Sequence, residues 1–316
     1  MNGNDTSRAR RDVLKCMAFG GAGTLFALSG GILTAVDLAI AAEHPAGSGA
    51  GGTPLFVQLS DTHIGFHKDA NPDVNGTLAR AIQLVNGMPV QPALVLHTGD
   101  ITHLSKPEEF DTAAQLMAAL RVGEIHTVPG EHDVADATTS EYFSRFGRPS
   151  GNRGYYSFDH AGVHFIALNN VMQARDGGFG GLGDEQVAWA LADLAGHGTS
   201  TPIVVFAHMP LWTIYQPWGW GTADAGTLLA ALQRFGSVTV LNGHIHQVIQ
   251  KVEGHVQFHT ARSTAFPQPA PGEGPGPGPL RVPADELARV LGVTSVSLEQ
   301  HPTHLRVQDL RLEETA

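Results

Sequence analysis

The chain has a single cysteine and only four lysines among its 316 residues. Because Cys16 stands within the first 42 residues, the rest of the sequence offers neither a disulfide framework nor a thiol for catalysis or metal binding. The net charge is −11, so there is no basic stripe to neutralise a polynucleotide, and we expect no nucleic-acid polymer as a partner. A small phosphorylated substrate is still compatible with this charge, because bound cations reverse the local field.

Residues 1–42 resemble a twin-arginine export signal. Arg10 and Arg11 precede an apolar stretch, residues 17–42, and small residues at 39–42 offer a cleavage site. The stretch is also long enough for a membrane-spanning helix, but its glycines and Asp37 oppose that alternative. The resemblance implies export by the twin-arginine translocation machinery to the bacterial periplasm or the extracellular space, with no stable membrane anchor after cleavage.

The remaining sequence is organised around short apolar runs. Residues 43–53 are rich in Gly, Ala and Ser and predict a flexible linker. Residues 54–265 then form the predicted catalytic domain, in which the order strand, polar cluster, helix occurs three times and indicates an α/β sheet with helices on its faces. Residues 266–316 begin with a Pro/Gly-rich loop and end with a predicted helix at 283–291 and two closing strands.

Polar clusters rich in carboxylates and imidazoles follow five of these runs. Oxygen and nitrogen donors without thiolate suit divalent cations such as Mn, Fe, Co or Zn. Two such cations side by side form a site that attacks phosphate esters. In chain order, the clusters are Ser60-Asp61-Thr62-His63, Thr98-Gly99-Asp100, Gly130-Glu131-His132-Asp133, Ala207-His208-Met209-Pro210 and Gly243-His244-Ile245-His246.

This ordered set resembles the motifs of the calcineurin-like metallophosphoesterase superfamily: D-x-H, G-D, G-N-H-[D/E], H and G-H-x-H. The resemblance covers residues 55–259, and the Thr-Gly-Asp cluster followed by a Pro-Glu-Glu-Phe helix is most similar to the cyclic-nucleotide phosphodiesterase branch. It implies a four-layer α/β/β/α sandwich of two mixed sheets flanked by helices. It also implies two metal ions, divalent or mixed-valence, whose identity among Mn, Fe, Zn and Co the sequence does not distinguish.

Carried over position by position, the resemblance divides the metal ligands into two sets. Asp61, His63 and His246 would hold the first cation, and Asp100 would bridge both cations because one carboxylate has two oxygens to share. His208 and His244 would hold the second cation, together with the residue at the motif's Asn position.

Glu131 occupies that Asn position and is the one departure from the pattern. As a third carboxylate ligand it lowers the net positive charge of the centre, which penalises a phosphomonoester dianion more than a monoanionic diester. We favour ligation because an unpaired carboxylate beside a dication is costly. The alternative is that Glu131 swings out and water takes its place.

Two further residues of the third cluster are assigned to proton transfer. By the resemblance, His132 lies just outside the metal ligands, where it donates a proton to the leaving alkoxide or hydrogen-bonds it. Asp133 is expected to orient His132 and to keep its imidazole protonated.

Three residues are candidates for contact with the substrate. His103 is three residues beyond Asp100 and is expected either to support the metal ligands or to face the substrate. Trp212 and Tyr215 belong to an aromatic segment after His208, which forms either a wall of the pocket or a loop packed on its own domain.

The sequence therefore predicts an enzyme, a dinuclear metal-dependent phosphoric ester hydrolase. A metal-bridging hydroxide would attack a small phosphodiester in line. The alternatives are a phosphomonoesterase of broad specificity and a catalytically silent metal-binding protein.

Overall fold

The structure, a computed structural model, describes residues 25–29, 32–36, 54–135, 139–299 and 304–314. The chain divides into two compact units, residues 1–50 and 51–316. In the first unit, strand β1 (Leu25–Ser29) pairs antiparallel with β2 (Ile32–Val36). No helix within the described ranges has both the length and the apolar character needed to cross a membrane. The arginine pair and the cleavage site of the predicted signal lie outside the described residues, so export stays a prediction that cell fractionation would test.

The second unit contains two mixed sheets with helices between their strands. Its helices are α1 (Val74–Asn86), α2 (Pro107–Met117), α3 (Ser140–Arg145), α4 (Asp184–Ala195), α5 (Gly226–Leu232) and α6 (Leu287–Val290). Its strands are β3 (Pro54–Leu59), β4 (Leu94–His97), β5 (Glu124–Thr127), β6 (Tyr156–His160), β7 (Val163–Ala167), β8 (Ile203–Ala207), β9 (Val238–Asn242), β10 (Gln250–Glu253), β11 (Val256–Thr260), β12 (Gly292–Glu299) and β13 (His304–Arg311).

Each sheet contains a run of parallel strands, but only the six-stranded sheet has antiparallel pairs at both edges, since β5 pairs parallel with β4 at one edge of the five-stranded sheet. The five-stranded sheet has the order β13-β12-β3-β4-β5, and the six-stranded sheet has the order β10-β11-β9-β8-β7-β6. Strands β3, β4 and β5 run parallel in one sheet, as do β7, β8, β9 and β11 in the other. The C-terminal strand β12 pairs antiparallel with β3 and thereby joins the end of the chain to the first of the cluster-bearing strands.

The inner strands of the two sheets are buried on both faces, which explains why they are continuous apolar runs, whereas the edge strand β10 is exposed. Since side chains alternate along a strand, Phe56 of β3 and Phe206 of β8 pack between the sheets. Their neighbours Val57 and Val205 face the helices on the outside, α1 and α2 on one sheet and α4 and α5 on the other. The predicted four-layer α/β/β/α sandwich is thus confirmed.

The C-terminal helix is shorter than the sequence predicts. The helix predicted over residues 283–291 is only one turn long, Leu287–Val290. The amide of Glu286 closes a turn on the carbonyl of Pro283, and Gly292 already pairs with Arg311 in the sheet. Because the backbone of β12 is extended from Gly292 onward, the helix ends at Val290.

Candidate metal centre

The predicted ligands gather at one end of both sheets. Asp61 follows β3, Asp100 follows β4 and Glu131 lies beyond β5, while His208 follows β8 and His244 lies beyond β9. Strands β3, β4 and β5 run parallel to one another, as do β8 and β9, so within each sheet their carboxyl ends lie on one side. This is the position where open α/β sheets bind ligands.

The backbone at these strand ends turns sharply. A positive φ is rare outside glycine, and it persists at functional sites only where surrounding structure enforces it. Here Asp61 is held by a hydrogen bond from its amide to the carbonyl of Gly99, and His63 by one to the carbonyl of Asp100. The predicted ligands in this left-handed region are Asp61 (φ 53°), His63 (41°), Asp100 (53°), His244 (69°) and His246 (53°).

The first donor set consists of Asp61, His63 and His246, as predicted. Nε2 of His246 lies 3.3 Å from Oδ1 of Asp61 and 3.2 Å from Nε2 of His63. His246 donates its other ring proton, on Nδ1, to the carbonyl of Phe266 (2.6 Å), which leaves Nε2 with a lone pair when the ring is neutral. The three donors thus face one another, and a shared proton or a cation must lie among them.

The second donor set contains Glu131, His208 and His244. Oε2 of Glu131 lies 2.8 Å from Nε2 of His208, and Oε1 lies 3.0 Å from Nδ1 of His244. Although the Glu131 side chain is 37% exposed, its Oε2 atom is buried and accepts no hydrogen bond of acceptable geometry. An orphaned carboxylate oxygen between two ring nitrogens fits a cation site and does not fit a side chain that swings into solvent.

Asp100 lies between the two donor sets, and only one of its carboxylate oxygens faces both of them. Its Oδ2 atom lies 3.5 Å from Nε2 of His63 and 3.4 Å from Nε2 of His208. Its Oδ1 atom accepts the backbone N–H of His132 at 2.9 Å. The expectation that both oxygens are shared between the cations is therefore corrected: Oδ2 alone faces both sets, because Oδ1 is committed to the backbone.

Charge in the site is arranged to keep the carboxylates ionised. Burial opposes ionisation of Asp61 and Glu131, yet the surrounding imidazoles outweigh it and hold the pKa of both carboxyls well below the usual range. Burial likewise opposes protonation of His208, but Asp100 and Glu131 raise its pKa well above normal. Positive charge therefore stabilises the site. A proton on His208 supplies that charge, and bound divalent cations would supply it instead.

His132 lies beside this centre without Asp133 as its partner. Nδ1 of His132 donates to the carbonyl of His103 at 2.7 Å. The fully buried carboxylate of Asp133 instead accepts the backbone N–H groups of Ile101, Thr102 and Gly130 at 2.8–3.1 Å. The prediction that Asp133 orients His132 is wrong, because backbone N–H groups from the segment after β4 and from Gly130 hold this carboxylate instead.

The three candidate substrate contacts differ in their surroundings. The ring of His103 stacks on that of His132, with centroids 4.9 Å apart, and contacts His63 edge-on. Trp212 is half-buried and packs against Phe258 beside core residues of the six-stranded sheet, and its role in a pocket wall stays a prediction. Tyr215 lies against Trp218, and a substrate contact by Tyr215 stays a prediction.

Sequence reasoning missed Phe266, which belongs to the edge of the Pro/Gly-rich segment. Its carbonyl fixes the ring of His246, and its own ring stacks on His63 with centroids 4.8 Å apart. No motif indicates this contact. The glycines of the motifs, in contrast, are explained by space, since a Cβ on Gly130 would lie 2.0 Å from Oδ1 of Asp100.

The protein thus has an α/β/β/α fold. Its strand ends present two donor sets around one shared carboxylate, which together form a candidate dinuclear metal centre. The sequence profile of the calcineurin-like phosphoesterase family matches residues 54–248, more than half of the chain. This chain belongs to that family of metal-dependent phosphoric ester hydrolases, which uses a dinuclear divalent metal centre.

Individual relatives agree with this membership. A glycerophosphodiester phosphodiesterase of Enterobacter lignolyticus is 30% identical over 210 residues, which cover 61% of this chain and 71% of that protein. A probable cyclic nucleotide phosphodiesterase of Rhodopseudomonas palustris is 26% identical over 227 residues, which cover 66% of this chain and 78% of that protein. A solved structure of a dimetal phosphatase from Danio rerio has the same fold, with a TM-score of 0.60 at 15% identity over 82% of this chain and 99% of that one.

Proposed function

We propose that this chain hydrolyses small phosphodiesters at a centre of two divalent cations. The observation that carries the proposal is the convergence of two donor sets on the single oxygen Oδ2 of Asp100. Asp61, His63 and His246 would hold one cation, and Glu131, His208 and His244 the other. When bound, the two cations would supply a bridging hydroxide for in-line attack and would neutralise charge on the phosphoryl oxygens.

His132 would assist the leaving group. Because its Nδ1 donates to the carbonyl of His103, Nε2 is the ring nitrogen left for the substrate. Burial opposes protonation of this ring, but the carboxylates of Asp100 and Glu131 raise its pKa. A protonated imidazole of this kind donates a proton to a departing alkoxide.

The preference for a diester rests on the charge of Glu131. Its carboxylate adds a negative charge where the family motif has a neutral amide, and it lies within 3.0 Å of two ligands of the second set. A monoester dianion carries one more negative charge than a diester and is repelled more strongly. The similarity to a glycerophosphodiester phosphodiesterase supports the same preference.

The proposal predicts metal-dependent turnover of a diester. We expect the full chain, stripped with a chelator and reloaded with Mn²⁺, Co²⁺, Zn²⁺ or Fe²⁺, to hydrolyse bis(p-nitrophenyl) phosphate faster than p-nitrophenyl phosphate, and the chelated chain to release no p-nitrophenolate. Faster turnover of the monoester would favour a phosphomonoesterase instead. Binding of two cations with no turnover of either ester would indicate a silent metal-binding protein.

The proton-donor role of His132 predicts a dependence on the leaving group. We expect His132→Ala to lower kcat about 100-fold or more on a glycerophosphodiester, whose alkoxide needs a proton. On bis(p-nitrophenyl) phosphate the loss is expected to stay below about tenfold, because p-nitrophenolate leaves unaided. His255→Ala, in an exposed turn, is the matched control. Equal losses on both substrates would contradict the assignment.

A further inference from the structure

Four fully buried side chains at two neighbouring strand ends form a chain of hydrogen bonds that ends at a predicted metal ligand. We call this chain, from Gln58 through Thr98 and Ser60 to Asp61, the hydroxyl relay. Nε2 of Gln58 donates to Oγ1 of Thr98 at 2.9 Å, and Oγ1 of Thr98 donates to Oγ of Ser60 at 2.6 Å. Oγ of Ser60 then donates to Oδ2 of Asp61 at 2.5 Å. All four side chains have no exposed surface, so water does not compete for these bonds.

The two ends of this relay fix the direction of every bond within it. An amide nitrogen only donates, and an ionised carboxylate only accepts. The hydroxyl of Thr98 also lies 3.4 Å from the carbonyl of Leu59, a much longer distance than the 2.6 Å to Ser60. Both hydroxyl protons therefore point towards Asp61, and the last one lies on Oδ2.

The two carboxylate oxygens of Asp61 have different partners. Oδ2 is occupied by Ser60, whereas Oδ1 faces Nε2 of His246 at 3.3 Å. The amide of His244 lies 3.1 and 3.2 Å from the two oxygens and holds the carboxylate plane from the other side. The oxygen turned towards the first donor set is thus the one that the hydroxyl relay leaves open.

The hydroxyl relay also contacts the end of β9, the strand that precedes the ligands His244 and His246. Nε2 of Gln58 also donates to the carbonyl of Asn242 at 3.2 Å. Asn242 is the last residue of β9 and directly precedes the segment that contains His244 and His246. Gln58 therefore ties the end of β9 to the relay that orients Asp61, across the two sheets.

We propose that Ser60 and Thr98 are positioning residues that present Oδ1 of Asp61 to the cation held with His63 and His246. This inference rests on the proposed dinuclear centre. Hydrogen bonds to metal-ligating carboxylates fix ligand orientation, and their loss lowers metal affinity about 10–100-fold. A role confined to satisfying buried polar groups would lower stability and leave the metal affinity unchanged.

The test compares two substitutions at one position. Thr98→Val keeps the shape and removes the hydroxyl, whereas Thr98→Ser keeps the hydroxyl and removes the methyl group. We expect the wild-type chain to bind two equivalents of Mn²⁺ in a calorimetric titration. We expect Thr98→Val and Ser60→Ala to bind one equivalent about 10–100-fold more weakly, with the other little changed, and Thr98→Ser to bind both as the wild type does.

Each other outcome has a defined meaning. Wild-type affinity for both equivalents in folded Thr98→Val and Ser60→Ala, with folding checked by near-ultraviolet circular dichroism, would overturn the positioning role. Failure of both variants to fold, while Thr98→Ser folds, would show that the hydroxyls support the fold instead. A wild-type chain that binds fewer than two equivalents would contradict the dinuclear centre itself, which separates that failure from failure of the relay.

Discussion

Replacing Asp100 with asparagine is expected to abolish measurable phosphodiester turnover, with kcat falling about 1,000-fold or more. The reason lies in the two oxygens of this carboxylate. Oδ1 accepts the backbone N–H of His132, so the amide of an asparagine would orient its oxygen there. Its NH₂ group would then occupy the position of Oδ2, between Nε2 of His63 and Nε2 of His208, where it offers no lone pair to a cation.

The measurement pairs kinetics with metal content. We expect Asp100→Asn to retain fewer than two equivalents of metal after dialysis and to show a wild-type circular dichroism spectrum. Asp285→Asn, at an exposed position in the turn before α6, is the matched control and should change neither quantity. Two retained equivalents together with wild-type turnover in Asp100→Asn would contradict the bridging position of Asp100.

Replacing Glu131 with asparagine is expected to shift substrate preference towards monoesters. The change removes one negative charge from the second donor set, where Oε1 and Oε2 contact His244 and His208. Since a monoester dianion has one more charge than a diester, we expect the ratio of kcat/KM for bis(p-nitrophenyl) phosphate over p-nitrophenyl phosphate to fall about tenfold or more.

Two companion variants separate charge from length. Glu131→Gln removes the charge and keeps the side-chain length, so it should move the ratio in the same direction as Glu131→Asn. Glu108→Gln, in the exposed first turn of α2, should leave the ratio unchanged. An unchanged ratio and unchanged metal content in both Glu131 variants would show that this carboxylate is not a ligand.

The ligand set could be predicted from the sequence because each donor follows an apolar run. Parallel strands buried on both faces are read as such runs, and their carboxyl ends meet on one side of the sheets. These two properties predict that Asp61, Asp100 and His208 lie near one another. Comparison with the family motif identified Glu131 as the unusual member, and the structure places that carboxylate between His208 and His244.

Contacts that depend on backbone donors or on distant segments could not be predicted in the same way. The resemblance assigns Asp133 to His132, but three backbone N–H groups bind its carboxylate instead. The interaction of Phe266 with His63 and His246 joins residues 20 to 203 positions apart, and no periodicity indicates it. The contact between Trp212 and Phe258 likewise joins residues from distant segments, and no periodicity indicates it.

The order of the layers was implied by the resemblance to the family, whereas the sequence alone determined the strand ends that carry chemistry and the types of donor atom available there. These properties follow from hydrophobic periodicity and from residue identity, which are local in the chain. The tertiary structure decided which atom of each donor faces the centre: Oδ2 of Asp100 alone, Oδ1 of Asp61, and Nδ1 of His244 where other histidines use Nε2. Those choices depend on which oxygen or nitrogen is already bound by a hydrogen-bond partner from another strand, and such partners are brought together only by the fold.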